Sequence, residues 1–272
     1  MSQLVVSCGA ASLYASSHLA ITGTIDLRIA TAVAAATWIM YAAHRWIGLR
    51  LHPDLREVPR FKYVASRPVL FLSGALICGL YLLITTPYMI RSLGWTYLLG
   101  PAIISSLYSL PIIGPKRLRD LPYIKIFVLA ATWSWITVLW ALPEQGILHS
   151  WSLAGACFLF IIAITIPFDI RDQQTDHESQ LATLVTLLGA DKAKRLSAGL
   201  LLIAGALIIF AYTRDVISLA YLLALIITYL MSWRLIQGAN ASRPESYYSG
   251  FIDGVMIMPL ILLALLSQIL PA

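Results

Sequence analysis

Apolar stretches recur along the whole chain, at 4–22, 27–44, 68–86, 95–112, 123–142, 151–168, 197–212, 216–233 and 250–270, and they restrict its folding options more than any other feature. A bilayer core about 30 Å thick is crossed by roughly 20 helical residues. Only helices and closed barrels satisfy every backbone polar group inside it. No short segments of alternating apolar and polar residues, the barrel signature, appear. The pattern therefore predicts an all-α integral membrane protein, a bundle of nine transmembrane helices forming a single transmembrane helical domain over residues 1–272. Composition agrees: 59% of residues are hydrophobic and 12% charged, where a soluble domain has about a quarter charged. The first stretch is rich in Ser and interrupted by His18, and the seventh is short enough to extend backward into its Lys/Arg-bearing flank.

In such a chain the net charge of +6 is read as topology, not as a footprint for nucleic acid. Connections on one side are brief: Thr86 to Gly94, Pro143 to Ser150 and Thr213 to Asp215. On the other they are long and polar: 45–67, 113–122, 169–196 and 234–249. The long-loop face, with Lys125 at a helix entrance, collects 16 of the 19 Lys and Arg residues, leaving only Arg28, Arg91 and Arg214 for the opposite face. The positive-inside rule puts the long loops and the N-terminus in the cytoplasm and the C-terminus outside, in the cytoplasmic (inner or plasma) membrane. Met1-Ser2-Gln3 has no basic region before its apolar stretch, so no cleavable signal peptide is predicted. Cys8, Cys78 and Cys157 lie singly in apolar surroundings and are read as small hydrophobes, without metal-ligand spacing or a disulfide pattern.

Chemistry concentrates in Pro167-Phe168-Asp169-Ile170-Arg171-Asp172-Gln173-Gln174-Thr175-Asp176, at the end of the sixth stretch. On one continuous helix, offsets of 0, 3 and 7 stack Asp169, Asp172 and Asp176 on one face over two turns. Carboxylates that repel one another at a membrane edge are unfavourable unless a cation or a polar cavity satisfies them. Hard oxygen ligands suit Mg²⁺, which completes its octahedron with water and substrate phosphates. A metal–diphosphate site and a merely solvated helix end both satisfy the spacing.

With this motif in place, the chain resembles the intramembrane prenyltransferase superfamily of the UbiA type. Its members have nine transmembrane helices around a buried cavity, with Asp-rich motifs after helices 2 and 6. Asp169-Ile170-Arg171-Asp172 with Asp176 resembles the second motif, after the sixth stretch. Thr183-Leu184-Val185-Thr186-Leu187-Leu188-Gly189 resembles the family's Thr-Leu-Pro-Val…Leu-Gly continuation, and Tyr108 with Lys116-Arg117 its Tyr…Lys-Arg segment. Two departures stand out. Where the first motif would place several carboxylates, the chain reads Thr37-Trp38-Ile39-Met40-Tyr41-Ala42-Ala43-His44-Arg45-Trp46-Ile47-Gly48. Phe168 replaces an Asn before the second motif, and Leu181-Ala182 replace basic residues before the Thr.

The resemblance implies Mg²⁺-dependent transfer of a prenyl group from an allylic diphosphate to a lipophilic acceptor, such as an aromatic or quinone-type one. Asp169, Asp172 and Asp176 would be both the catalytic residues and the ligands of one Mg²⁺, and the acids for a second ion are missing. Tyr108, Lys116 and Arg117 would bind substrate, with Arg119 a weaker candidate beside them. Arg45 stands at the lost acids, where a guanidinium can neutralise phosphate directly and bidentately; with Trp38 and Trp46 it also fits a plain interfacial anchor. His44 lacks ligand-spaced neighbours. Asp253 is a functional suspect as an ionisable residue near the membrane, or a helix-start acid. Trp133, Trp135 and Trp140 read as packing or interface residues. The alternative function is a non-catalytic member of the fold that binds an isoprenoid, a quinone or a partner protein. A solute transporter accounts less well for the three aspartates, since no convincing pair of broken helices with mid-membrane charges appears.

Overall fold

The computed structural model describes residues 2–51, 59–110, 118, 121, 123–142, 147–178 and 182–270, and every described element is helical. The helices are α1 (Ser2–Thr22), α2 (Leu27–Leu51), α3 (Pro59–Ser66), α4 (Pro68–Leu93), α5 (Trp95–Ser109), α6 (Ile124–Thr137), α7 (Ile147–Arg171), α8 (Gln173–Glu178), α9 (Leu184–Leu188), α10 (Ala190–Thr213) and α11 (Leu219–Gly238). A last span, Tyr247–Leu266, closes the bundle and ends in α12 (Met258–Leu266).

Each apolar stretch coincides with a helix, but among the described residues only seven helices are long and apolar enough to cross a membrane. The other two are α2 and α5. Although 25 residues long, α2 carries Arg28, His44, Arg45 and Arg50. With 15 residues, α5 reaches only about 22 Å at a rise of 1.5 Å per residue. As the sequence allowed, the seventh stretch begins earlier, at Ala190.

Local chemistry sets the breaks. In α4 the helix runs on through Pro87, which lacks an N–H. In the turn before it, the Thr85 and Thr86 hydroxyls donate to the Tyr81 and Leu82 carbonyls at 2.9 and 2.7 Å. The chain then turns at Gly94, whose φ of 80° suits a residue without Cβ. Asp26 starts α2 by accepting from the amides of Arg28 and Ile29, and the Tyr88 hydroxyl donates to its other oxygen at 2.6 Å, tying α2 to α4.

Burial separates the helices into roles. Two-thirds (67%) of the α7 span is buried, against 11% of α4, whose Val69, Leu76, Ile77, Leu83 and Ile84 face outward as lipid-contacting residues do. Small side chains line the close approaches: Ala10, Ala32, Ala156, Ala163, Ala193, Ala204 and Ala224 are fully buried. In lipid such residues let helix backbones approach and gain dispersion contacts where no hydrophobic drive exists. Gly100 of α5 faces the Trp135 ring of α6, and a Cβ there would meet it at 2.7 Å. The last span is irregular, π-helical over Tyr247–Ile252 and 3₁₀ over Val255–Ile257. Departures of this kind often accompany functional sites in helices.

Candidate functional site

A cavity of about 560 Å³ lies between α1, α2, α5, α6, α7 and the last span. It is polar at one end and apolar at the other. The polar end gathers His44 and Arg45 of α2, Tyr108 and Ser109 of α5, and Lys125 of α6. Asp169, Arg171 and Asp172 at the end of α7 join them, with Glu245 and Asp253 from the last span and its approach. Val33, Leu98, Ile136 and Trp140 line the far end. From Arg45 back to Val33 along α2 is about 18 Å at the α-helical rise, so the space is a deep slot with a charged mouth. The Trp140 indole N–H donates to the Tyr97 carbonyl at 2.9 Å, pinning that ring across the far end.

Two ionic groups organise the mouth. Asp169 is buried, and one of its oxygens, Oδ1, accepts from Lys125 Nζ at 2.7 Å. Arg171 is a hub: its Nε and Nη2 donate to Asp172 Oδ1 and Oδ2 at 2.9 and 2.8 Å. Its Nη1 donates to both oxygens of Glu245 at 3.1 Å. The guanidinium also lies over the rings of Phe168 and Tyr248, at 5.1 and 5.4 Å. Asp253 makes no hydrogen bond or ion pair with the described residues, though Arg171, Glu245 and Arg45 are within electrostatic reach. Ser109 is 4% exposed, and its hydroxyl finds no hydrogen-bond partner among the described residues. Leaving such a group unpaired costs free energy unless water or a ligand satisfies it.

The three aspartates do not lie on one unbroken helix. Helix α7 ends at Arg171, Asp172 sits in a turn, and Asp176 belongs to the separate α8. Side chains one residue apart do not face each other on a regular helix. The bidentate pairing of Arg171 with its neighbour Asp172 thus goes with a break at that point. Asp169 and Asp172 still both reach the cavity. The side chain of Asp176, and Lys116, Arg117 and Arg119 altogether, lie outside the described residues. Arg45, Tyr108 and Asp253 also line the mouth. Of the three tryptophans read as packing residues, Trp133 and Trp140 also line the cavity, whereas Trp135 packs against Gly100.

Sequence reasoning assigned no role in the site to Arg171, Glu245 or Ser109, and read Lys125 only as a topological charge. For Lys125 a signal existed, a lone cation just inside an apolar stretch. Glu245 lies 74 residues from Arg171 in the chain, and nothing local announces their pairing.

Among the described residues, no three His, Cys, Asp or Glu side chains converge as a metal site. Two carboxylates do line the mouth, and Asp169 keeps one oxygen clear of Lys125. That donor set fits one Mg²⁺ shared with the oxygens of a bound phosphate, the usual arrangement for this ion. It does not extend to a second ion, because Tyr41, His44 and Arg45 occupy the α2 wall of the mouth.

No family model matches the chain, and no curated protein matches it. Solved structures do. A UbiA homologue from Archaeoglobus fulgidus bound to GPP and Mg²⁺ superposes with a TM-score of 0.60 at 15% identity, covering 98% of each chain. The same homologue bound to DMAPP and Mg²⁺ gives 0.59 at 16% identity, over 98% of this chain and 99% of that one. A digeranylgeranylglyceryl phosphate synthase gives 0.55 at 16% identity, over 98% and 94%. The chain therefore has the UbiA-type fold.

Proposed function

We propose that the protein is an intramembrane prenyltransferase, moving a prenyl group from an allylic diphosphate to a lipophilic acceptor. One observation carries this reading: a single slot joins a mouth of paired ionic groups to a deep apolar chamber, matching an amphiphile with a charged head and an isoprenoid tail. Structural neighbours that hold GPP or DMAPP with Mg²⁺ support it.

In this proposal Asp169 and Asp172, with Asp176, would hold one Mg²⁺, which would supply charge to offset that of the leaving diphosphate. Arg45 takes part of the same charge from the α2 side, where the family has acids. The bond from the allylic carbon to the bridging oxygen breaks, and its electron pair leaves with the diphosphate. The allylic carbon bonds to the nucleophilic atom of the acceptor, whose displaced proton passes to the released diphosphate. Trp133, Trp140 and Ile136 keep water from the chamber, and aromatic faces stabilise the transient positive charge. Asp172→Asn and Asp176→Asn are expected to lower Mg²⁺-dependent binding of geranyl thiolodiphosphate at least tenfold while the protein stays folded in detergent. Equal binding by wild type and both variants, with or without EDTA, would remove the metal site from the proposal.

A second reading is favoured by the missing α2 carboxylates and by the engagement of both Asp172 oxygens by Arg171. It makes the protein a non-catalytic binder of an isoprenoid or quinone. Diphosphate release over a panel of prenyl donors, with lipid extract as acceptor source, separates the two. Release with any donor supports the enzyme, whereas no release together with a tightly retained lipid supports the binder.

The mouth is proposed to face the cytoplasm of the inner or plasma membrane, because its end of the bundle holds most of the basic residues. After removal of the native cysteines, Gln174→Cys should be shielded from an impermeant thiol reagent in intact cells and Gln145→Cys labelled. The reverse pattern overturns the orientation.

A further inference from the structure

We propose, building on the prenyl diphosphate site above, that Lys125 is a transferable counter-ion: it holds Asp169 while the mouth is empty and passes to the diphosphate when a donor binds with its metal. The ion pair itself is the first ground. Asp169 is 5% exposed and meets Lys125 Nζ at 2.7 Å. A buried carboxylate without a cation is strongly unfavourable. The protein therefore supplies from its own chain positive charge that a metal would otherwise bring to this carboxylate.

The two cations flanking the aspartates differ in freedom. Arg171 is fixed by four hydrogen bonds to two carboxylates and lies over two aromatic rings. Among the described residues the Lys125 ammonium has one hydrogen bond, to Asp169, and its side chain is 20% exposed in the cavity wall at the start of α6. An ammonium on a four-carbon stem re-aims by rotating a few single bonds, which a planar guanidinium gripped at both edges does not.

Charge balance gives the direction of the transfer. Among the described cavity-lining side chains, Arg45, Lys125 and Arg171 face Asp169, Asp172, Glu245 and Asp253, three cations against four carboxylates. Within that described set the carboxylates exceed the cations by one, so a bound diphosphate calls for added positive charge. Asp169, when it holds a divalent ion, would need Lys125 less as a counter-ion, and the Lys125 ammonium would become available to phosphate oxygens in the cavity it lines. Metal and diphosphate should consequently bind with strong positive coupling, each weak alone, and Lys125 should be a source of that coupling.

The test uses the full-length protein in detergent, with Mn²⁺ followed by electron paramagnetic resonance and geranyl thiolodiphosphate by calorimetry. Wild type is expected to bind Mn²⁺ at least tenfold more tightly when the diphosphate is present. In Lys125→Met, Mn²⁺ alone should bind several-fold more tightly than to wild type. Diphosphate affinity should fall at least tenfold, and the coupling should shrink toward one. Lys125→Arg should retain part of the diphosphate affinity. If Lys125→Met fails to fold around an uncompensated Asp169, Lys125→Met/Asp169→Asn removes both charges and reads the loss of diphosphate binding and coupling instead. Unchanged diphosphate affinity and coupling in the folded variant would reduce Lys125 to a structural ion pair and overturn the inference, leaving the prenyltransferase reading intact. A wild type that binds Mn²⁺ and no prenyl diphosphate overturns both.

Discussion

Arg171→Ala is expected to lower the thermal midpoint in detergent by about 10 °C. Removing one partner of a buried ionic group leaves the other charges uncompensated and costs on the order of 3 kcal/mol. Each kcal/mol moves the midpoint of a chain this size by roughly 2–4 °C. The lower end of the range for buried pairs applies, because the Asp172 and Glu245 side chains keep 27% and 36% of their exposure. What raises the effect above that of a surface pair is convergence. One guanidinium ties the end of α7 to the approach of the last span and covers Phe168 and Tyr248. Arg171→Lys should recover little of the loss, since an ammonium cannot grip two carboxylates edge-on. A midpoint within 2 °C of wild type for Arg171→Ala would show that the hub carries no stability.

Arg45→Ala should reduce diphosphate release by roughly a hundred- to a thousandfold, the usual cost of losing a preorganised charge contact in the transition state. Its thermal midpoint should fall far less than its turnover does. The size of the effect follows from position. Arg45 lines the mouth from α2, on the wall where the UbiA resemblance leads one to expect carboxylates and the chain supplies none. Arg45→Lys should recover part of the rate, since a point charge still neutralises phosphate but loses the bidentate grip. Turnover falling in proportion to folded protein would make Arg45 an interfacial anchor alone.

Much of the architecture was legible in the chain because membrane spans are specified locally. Each span must be apolar over its own length and satisfy its own backbone, so hydropathy located α1, α4, α7, α10, α11 and the last span without knowledge of their neighbours. The two helices with weaker span character fall where a neighbour takes over part of that task. Helix α2 carries four basic or imidazole side chains, two of which, His44 and Arg45, turn into the cavity mouth. Helix α5 is too short to cross alone and packs against α6 through Gly100 and Trp135.

At the site, the sequence alone determined which carboxylates sit at the end of α7 and that the α2 wall lacks them. These are matters of residue identity at a given register. Only the tertiary structure decided how those carboxylates are neutralised. Asp169 pairs with Lys125 from 44 residues upstream, and Arg171 joins Asp172 to Glu245 from 74 residues downstream. Helix α7 ends at Arg171, so the aspartates do not share the one unbroken helix that the spacing suggested. The physical reason is range: hydropathy and helix periodicity act within a segment, whereas compensation of a buried charge depends on whichever distant side chain the packing of the helices brings within hydrogen-bonding distance.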